Sequence, residues 1–211
     1  MTHTFQEESW SGKFGDDYTD RNTFDIKQLS DLYKDQYGIS REQMNLDFVG
    51  GMNKDIKILE VGTNSGNQLF LLQKMGFKNL YGIEINEHAI ELARKRLQGI
   101  NIIHGSALEI PFKDNFFDMV YTAGVLIHIS NTDVSKVMNE MYRCTKKFIW
   151  GFEYFSNESQ EVSYRGNTNL LWKADFSGLF RKSFPELKLL KEKKYKYLDH
   201  DNIDVMYLME K

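Results

Sequence analysis

The sequence is poor in cysteine, in positive charge and in long apolar runs, and each shortage excludes something. Cys144 is the single cysteine among 211 residues, so no internal disulfide and no cysteine-built metal site can form. Its position at the end of a helical stripe marks it as a core residue. No segment approaches the roughly 18 consecutive apolar residues of a membrane helix. The opening residues, MTHTFQEESW, have neither a basic start nor an apolar run, so no secretory signal is expected. The formal net charge of -3 argues against a general nucleic-acid binder. The basic cluster Lys191–Lys196, continued by Tyr197, reads as the solvated face of a strand. A cytoplasmic protein with no bound metal, no membrane contact and no nucleic-acid partner is expected, as a monomer or homodimer.

The hydrophobic fraction is 41% and aromatic residues make up 14%, which fits a folded domain with a partly aromatic pocket. The length suits one domain with a sizeable core. Its most informative stretch is Lys57–Asn86, KILEVGTNSGNQLFLLQKMGFKNLYGIEIN. Apolar runs at Ile56–Val61 and Leu80–Ile85 predict two strands. A helix lies between them, through about Met75, and Gly76 supplies its stop. Further strands are predicted at Ile100–His104, Phe117–Thr122 and Lys147–Phe152. Helices are predicted at Glu87–Leu97 and on the stripe Val134, Val137, Met138 and Met141. A helix at Asp175–Arg181 and two strands, Leu187–Leu198 and Val205–Met209, complete the chain.

This alternation predicts an α/β fold: a seven-stranded, mostly parallel sheet with helices on both faces and a C-terminal antiparallel hairpin. Residues 1–52 read as an N-terminal helical extension or lid, and residues 53–211 as a Rossmann-like domain, together one compact unit. Residues 1–24 are polar, with Trp10, Phe14, Tyr18 and Phe24 spaced through them, as in an arm that folds over something. Ile26, Leu29, Leu32 and Tyr33 have helical spacing, with Asp25 as a cap, and residues 41–50 read as a second short helix. Residues 153–172 have no firm period, which suggests a functional loop or an inserted element.

In open α/β sheets, ligands bind beyond the carboxyl ends of the strands. The loop Gly62-Thr63-Asn64-Ser65-Gly66 lies there, and its glycines allow close approach of backbone to ligand. A dinucleotide fingerprint would be G-x-G-x-x-G; here the spacing is Gly62-x-x-x-Gly66. The loop has no basic residue, and Glu60 precedes it, so it is poorly made for a pyrophosphate and better made for a cationic group. Glu84, at the end of the second strand, suits the two hydroxyls of a ribose. Each acid also has a purely structural reading: Glu60 as a cap on the loop amides, Glu84 as a helix N-terminal acid.

These residues resemble those of class I S-adenosylmethionine-dependent methyltransferases, in the methyltransferase type 11 branch. Glu60-Val-Gly62 with Gly66 resembles the first motif and Gly82-Ile-Glu84-Ile the second. The run from His104-Gly-Ser106 to Asn115-Phe-Phe-Asp118 resembles the stretch entering strand four. The resemblance implies that Glu84 binds the ribose hydroxyls and that Gly62, Thr63, Asn64 and Gly66 pack along the methionine and ribose. It implies that Ile85 packs on the adenine, that Ser106 and Ala107 meet its edge, and that Gly124 lies under the sulfonium. Asn64 replaces the middle glycine of the first motif, and Asn tolerates left-handed backbone. Ser106 stands where the family often has Asp. The segments Phe14–Asn22, Gly124–Ile129, Tyr164-Arg165-Gly166 and Leu171–Phe176 look like the pseudaminic acid biosynthesis-associated methylase family.

The implied reaction is methyl transfer from S-adenosylmethionine to oxygen or nitrogen of a small acceptor, with S-adenosylhomocysteine as product. A sugar or acidic sugar of surface glycans is the first expectation, and another small carboxylic acid or amine the second. A noncatalytic cofactor-binding module is the third. His128 is the leading general base, with a pocket-closing packing role as its alternative, and Glu153 is a second candidate base. Tyr18 or Trp10 could face the sulfonium, and Arg21 or Asn22 the methionine carboxylate. Tyr154, Tyr164, Arg165 and Lys173 are expected around the acceptor, with arginine suited to a carboxylate or phosphate. The position after strand four reads Thr122-Ala-Gly-Val, without the Asn/Asp-Pro-Pro-Tyr/Phe motif of nucleic-acid methyltransferases.

Overall fold

Residues that alternate along the strands divide between the two faces of one sheet. The computed structural model describes residues 3–211. Four helices come first: α1 (Phe5–Ser11), α2 (Lys13–Arg21), α3 (Ile26–Tyr37) and α4 (Arg41–Val49). Then follow β1 (Lys57–Val61), α5 (Asn67–Lys74), β2 (Asn79–Glu84), α6 (Glu87–Arg96), β3 (Asn101–His104) and β4 (Phe117–Ala123). A 3-10 turn at Leu126–His128 leads to α7 (Val134–Cys144), β5 (Thr145–Tyr154), β6 (Gln160–Glu161) and β7 (Trp172–Lys173). The chain ends with α8 (Phe176–Ser183), β8 (Lys188–Lys196) and β9 (Ile203–Glu210).

The main sheet has seven strands in the order β3-β2-β1-β4-β5-β9-β8. Pairings from β3 through β5 are parallel, whereas β9 runs antiparallel to both β5 and β8. This is the expected mostly parallel sheet with its C-terminal antiparallel pair. Leu59, Val61, Val120, Ile149 and Tyr207 pack on one face with α7 and α8. Ile58, Met119, Trp150, Met206 and Leu208 pack on the other with α4, α5 and α6. The period of two that separates these sets is the strand pleat. Cys144 is fully buried at the end of α7, as its place in the stripe implied.

Three elements are now defined more closely. Residues 5–21 are two helices within the expected helical extension. Thr4 and Glu7 form a reciprocal capping box, a signal written in Thr-x-x-Glu. The strand expected at Lys147–Phe152 begins at Thr145 and continues to Tyr154, so Glu153 lies within it. The aperiodic 153–172 connection contains an inserted hairpin, β6 with β7, closed at its tip by the Tyr164–Asn167 bridge. Arg165 and Gly166 sit at that tip with φ of 51° and 78°.

The antiparallel sense of β9 matters for the site. It brings the first residues of β9 to the edge where β5 ends, in the register Tyr154↔Asp204. Gly151 makes this pairing tight, because a Cβ there would lie 2.1 Å from Cζ of Tyr207. Gly151→Ala is expected to destabilise the fold by about 1–3 kcal/mol through overpacking, read from the urea midpoint.

Candidate active site

The loop after β1 is shaped by backbone before side chains. Gly62 and Gly66 have φ of 70° and 80°, and Asn64 has φ of 47°. The turn therefore survives without its middle glycine. A Cβ on Gly62 would stand 2.7 Å from Val125, so the residue is also needed for close packing. The amides of Gly62 and Thr63 both donate to the Ile83 carbonyl, at 2.9 and 3.0 Å, which fixes the loop to the end of β2.

Glu84 closes this arrangement. Its carboxylate accepts the amides of Asn64 at 2.7 Å, Ile85 at 2.8 Å and Asn86 at 3.0 Å. Burial nevertheless raises its pKa, against the opposing pull of those amides. Hydrogen bonds to an ionised group contribute about 1.5–3 kcal/mol each, so three of them only partly offset desolvation. Glu60 is also buried and accepts the Thr63 hydroxyl at 2.8 Å. It does not cap the loop amides. Burial pushes its carboxyl up to about 8.

One cavity of about 470 Å³ opens over these strand ends. Glu60, Gly62, Thr63, Asn64, Glu84 and Ile85 line one end, with Ser106 and Ala107 beyond them. Gly124, His128, Glu153, Tyr154 and Tyr164 line the other, and Tyr18 lies over it from α2. The helices α1 and α2 form the roof. Trp10 stands 4.4 Å, ring to ring, from His128 and 5.2 Å from Tyr18. The arm of residues 1–24 thus folds over a pocket. Polar bonds hold it there: Asn86 Nδ2 donates to Asp16 at 2.8 Å, Asn64 Nδ2 to Thr19 at 2.7 Å, and Asn67 Nδ2 to the Asn22 carbonyl at 2.6 Å.

His128 is buried and donates from Nδ1 to the Leu170 carbonyl at 2.6 Å. A carbonyl can only accept, so this bond puts the proton on Nδ1 and leaves Nε2 with a lone pair. Burial lowers its pKa to about 4, so the ring is neutral at physiological pH. Glu153 is also buried, and its carboxyl is pushed up to about 7. The amides of Val125 and Ile127 face it at 3.3 and 3.4 Å and partly resist that rise.

Four expected residues lie outside the cavity wall. Arg21 is exposed at the end of α2, so the methionine carboxylate contact expected of it has no support in the geometry. Gly66 acts through its turn, as the left-handed N-cap of α5. Arg165 is exposed at the hairpin tip, over the ring of its neighbour Tyr164. Lys173 is committed to Asn202 and lies over the Tyr154 ring. Three residues that matter were not legible as site residues. Glu7 reaches from α1 and accepts the Ser106 hydroxyl proton at 2.6 Å. Asp204 lines the cavity from β9. Arg41 is buried at the start of α4, its guanidinium 4.1 Å from the Phe152 ring centroid. A cation in a helix's first turn opposes the helix dipole, and that misfit was the available signal.

Residues 59–148 match the family model described as a methyltransferase domain. Among curated relatives, demethylmenaquinone methyltransferase of Listeria welshimeri is 26% identical over 152 residues, covering 69% of this chain and 60% of that protein. The first matches to curated relatives span only 37–60% of those proteins' own length. Among solved structures, the PH0226 protein of Pyrococcus horikoshii superposes with a TM-score of 0.67 at 19% identity, over 98% of this chain and 99% of that one. A SAM-dependent methyltransferase from Methanosarcina mazei gives 0.64 at 16% identity, over 76% and 94%. At these identities the structural likeness shows the fold. The matched segment is similar to methyltransferase domains, and the fold is one that such proteins share. No helix among the described residues is long and apolar enough to cross a membrane.

The raised Glu153 carboxyl has a consequence for stability. The native state holds this proton between pH 4.5, the ordinary glutamate value, and about 7. Its contribution is fully present below pH 4.5 and is lost as pH rises through 7, amounting to roughly 3 kcal/mol. Glu153→Gln should lack this loss. Chemical denaturation at pH 4.5 and pH 7.5 checks it, because the wild type should fall relative to the variant at the higher pH.

Proposed function

We propose that the protein transfers a methyl group from S-adenosylmethionine to a nitrogen or oxygen of a small acceptor and releases S-adenosylhomocysteine. The observation that carries this reading is the single cavity linking the strand-end acids, Glu60 and Glu84, to His128 and Glu153. Its volume of about 470 Å³ lies within the usual range for small-ligand sites. The fit to the cofactor also rests on charge. Among the described residues no lysine or arginine lines the cavity, whereas Glu7, Glu60, Glu84, Asp133, Glu153 and Asp204 all do. Such a wall suits a sulfonium cation and repels a polyphosphate.

Glu84 would hold the ribose hydroxyls, whose donated hydrogen bonds would favour the ionised carboxylate that burial disfavours. The loop backbone from Gly62 to Asn64 would lie along the methionine and ribose, with Ile85 against the adenine and Ser106 and Ala107 at its edge. Gly124 would leave room beneath the sulfonium, and Tyr18 would cover it from α2. The bound cofactor supplies an electrophilic methyl group. His128 Nε2 would accept a proton from the acceptor, and Tyr164, 5.4 Å away ring to ring, would help shape the acceptor site with Tyr154. Glu153, with its carboxyl near neutrality, is the second proton acceptor. The 1–52 region would serve as the lid.

A sugar destined for surface glycans remains the first acceptor class, with the acidic form disfavoured. Arg165 and Lys173, the cations expected to meet an acid, lie outside the wall. A carboxylate entering among Glu153 and Asp204 would meet repulsion and no cation. An amine metabolite is the second reading, and the same acid-lined wall favours it. Glu84→Ala is expected to weaken S-adenosylhomocysteine binding at least tenfold by calorimetry, and full retention of affinity would overturn the site assignment. His128→Ala should bind the same ligand as the wild type does, while losing roughly a hundredfold in turnover once an acceptor is found.

A further inference from the structure

The end of the cavity farthest from Glu84 has a construction that the methyl-transfer reading does not use. Asp204 is 2% exposed and sits at the start of β9, opposite Tyr154. Its Oδ2 accepts two hydroxyls, one from Tyr37 of α3 and one from Tyr197 at 3.1 Å. Its Oδ1 has no hydrogen-bond partner. Burial drives this carboxyl up to about 6, even with two tyrosine donors on one oxygen. A buried carboxylate oxygen without a partner is costly, and a site that keeps one is a candidate for a ligand's donor.

The surroundings indicate what kind of donor. Tyr37 and Tyr197 meet edge to face at 4.8 Å, Tyr33 stands 5.4 Å from Tyr37, and Tyr154 stands 6.1 Å from Tyr197. These four rings and Asp204 all line the cavity. Two cations, Arg41 and Lys173, act on Asp204 through space but lie outside the cavity wall. Arg41 stacks over Phe152 and Tyr33 beneath the wall, and Lys173 is bound to Asn202. Neither forms an ion pair with Asp204. Tyr37 and Tyr197 turn their hydroxyls to Asp204, and Arg41 and Lys173 lie over the rings of Tyr33 and Tyr154, so the draw on a further cation is the direct charge of the carboxylate. A neutral hydroxyl would satisfy Oδ1 but would gain no charge attraction, and a carboxylate would be repelled.

We propose that Asp204, with Tyr33, Tyr37, Tyr154 and Tyr197, forms a subsite for a protonated amine carried by the acceptor. This rests on the methyltransferase reading and adds to it a recognition element remote from the transferred methyl. The ammonium is gripped at Asp204, while a second nucleophilic atom of the same molecule lies near His128 and Glu153. The acceptor is therefore an amino compound with at least two functional groups, and the gripped nitrogen is not the one methylated.

The test uses the full chain saturated with S-adenosylhomocysteine at pH 7. Three amines are each compared with a hydroxyl counterpart by calorimetry: glucosamine with glucose, ethanolamine with ethylene glycol, and tyramine with tyrosol. At least one amine should bind tenfold or more tightly than its counterpart. Asp204→Asn should bring that pair within twofold of each other and leave S-adenosylhomocysteine affinity unchanged. Should the variant not fold, proton NMR on the wild type decides the matter. The bound amine's methylene protons should then show contacts to the Tyr37 and Tyr197 rings. Absence of amine preference in all three pairs, its survival in Asp204→Asn, or ring contacts elsewhere would overturn the proposal. Failure to bind S-adenosylhomocysteine at all would instead count against the methyltransferase reading, so the two failures are distinguishable.

Discussion

The carboxylate of Glu84 binds backbone from two loops at once. Its three amide donors come from Asn64 on the β1 loop and from Ile85 and Asn86 at the entrance to α6. Those loops leave neighbouring parallel strands, and without a common acceptor their buried amides would need water or each other. With it, the floor of the cavity is a single rigid surface. The roof depends on the same residues, since Asn64 and Asn86 turn their side-chain amides up to Thr19 and Asp16 of α2. One buried acid therefore organises the floor directly and the roof through its neighbours.

Much of this was legible because the responsible patterns are local. The strand runs, the glycine spacing and the strand-end acids all lie within Lys57–Asn86. Gly62 and Asn64 adopt the left-handed backbone that their residue types permit. The parts that were illegible depend on contacts between distant segments. Glu7 and Ser106 are separated by 99 positions, and nothing in either neighbourhood announces the other. Asp204 becomes a cavity residue only because β9 runs antiparallel to β5. Arg165 and Lys173 were expected at the acceptor from residue type alone, while the hairpin carries one cation outward and Asn202 holds the other.

Burial raises the acids at both ends of the cavity. Around Glu84, three backbone amides partly oppose that rise. Around Glu153 the opposing groups are Thr122 and loop amides, and around Asp204 they are tyrosine hydroxyls, and both carboxyls are raised towards neutrality. His128 is shifted the other way by the same burial. Burial thus raises the four buried acids Glu60, Glu84, Glu153 and Asp204 and lowers the histidine, which trims the cost of unpaired buried ions while leaving the wall acidic.

The lysines of β8 bear on how the molecule meets other copies of itself. This strand is the outer edge of the sheet, with its hydrogen-bonding groups open on one side. Lys188, Lys191, Lys193, Lys194 and Lys196 are all exposed along it, and the register shifts between Leu189 and Lys191. Two such edges brought together would align like charges across irregular backbone. At the opposite edge, β3 offers only four residues, Asn101–His104. Neither margin is a good template for another strand, so sheet-to-sheet aggregation is discouraged at both ends of an otherwise extensible structure.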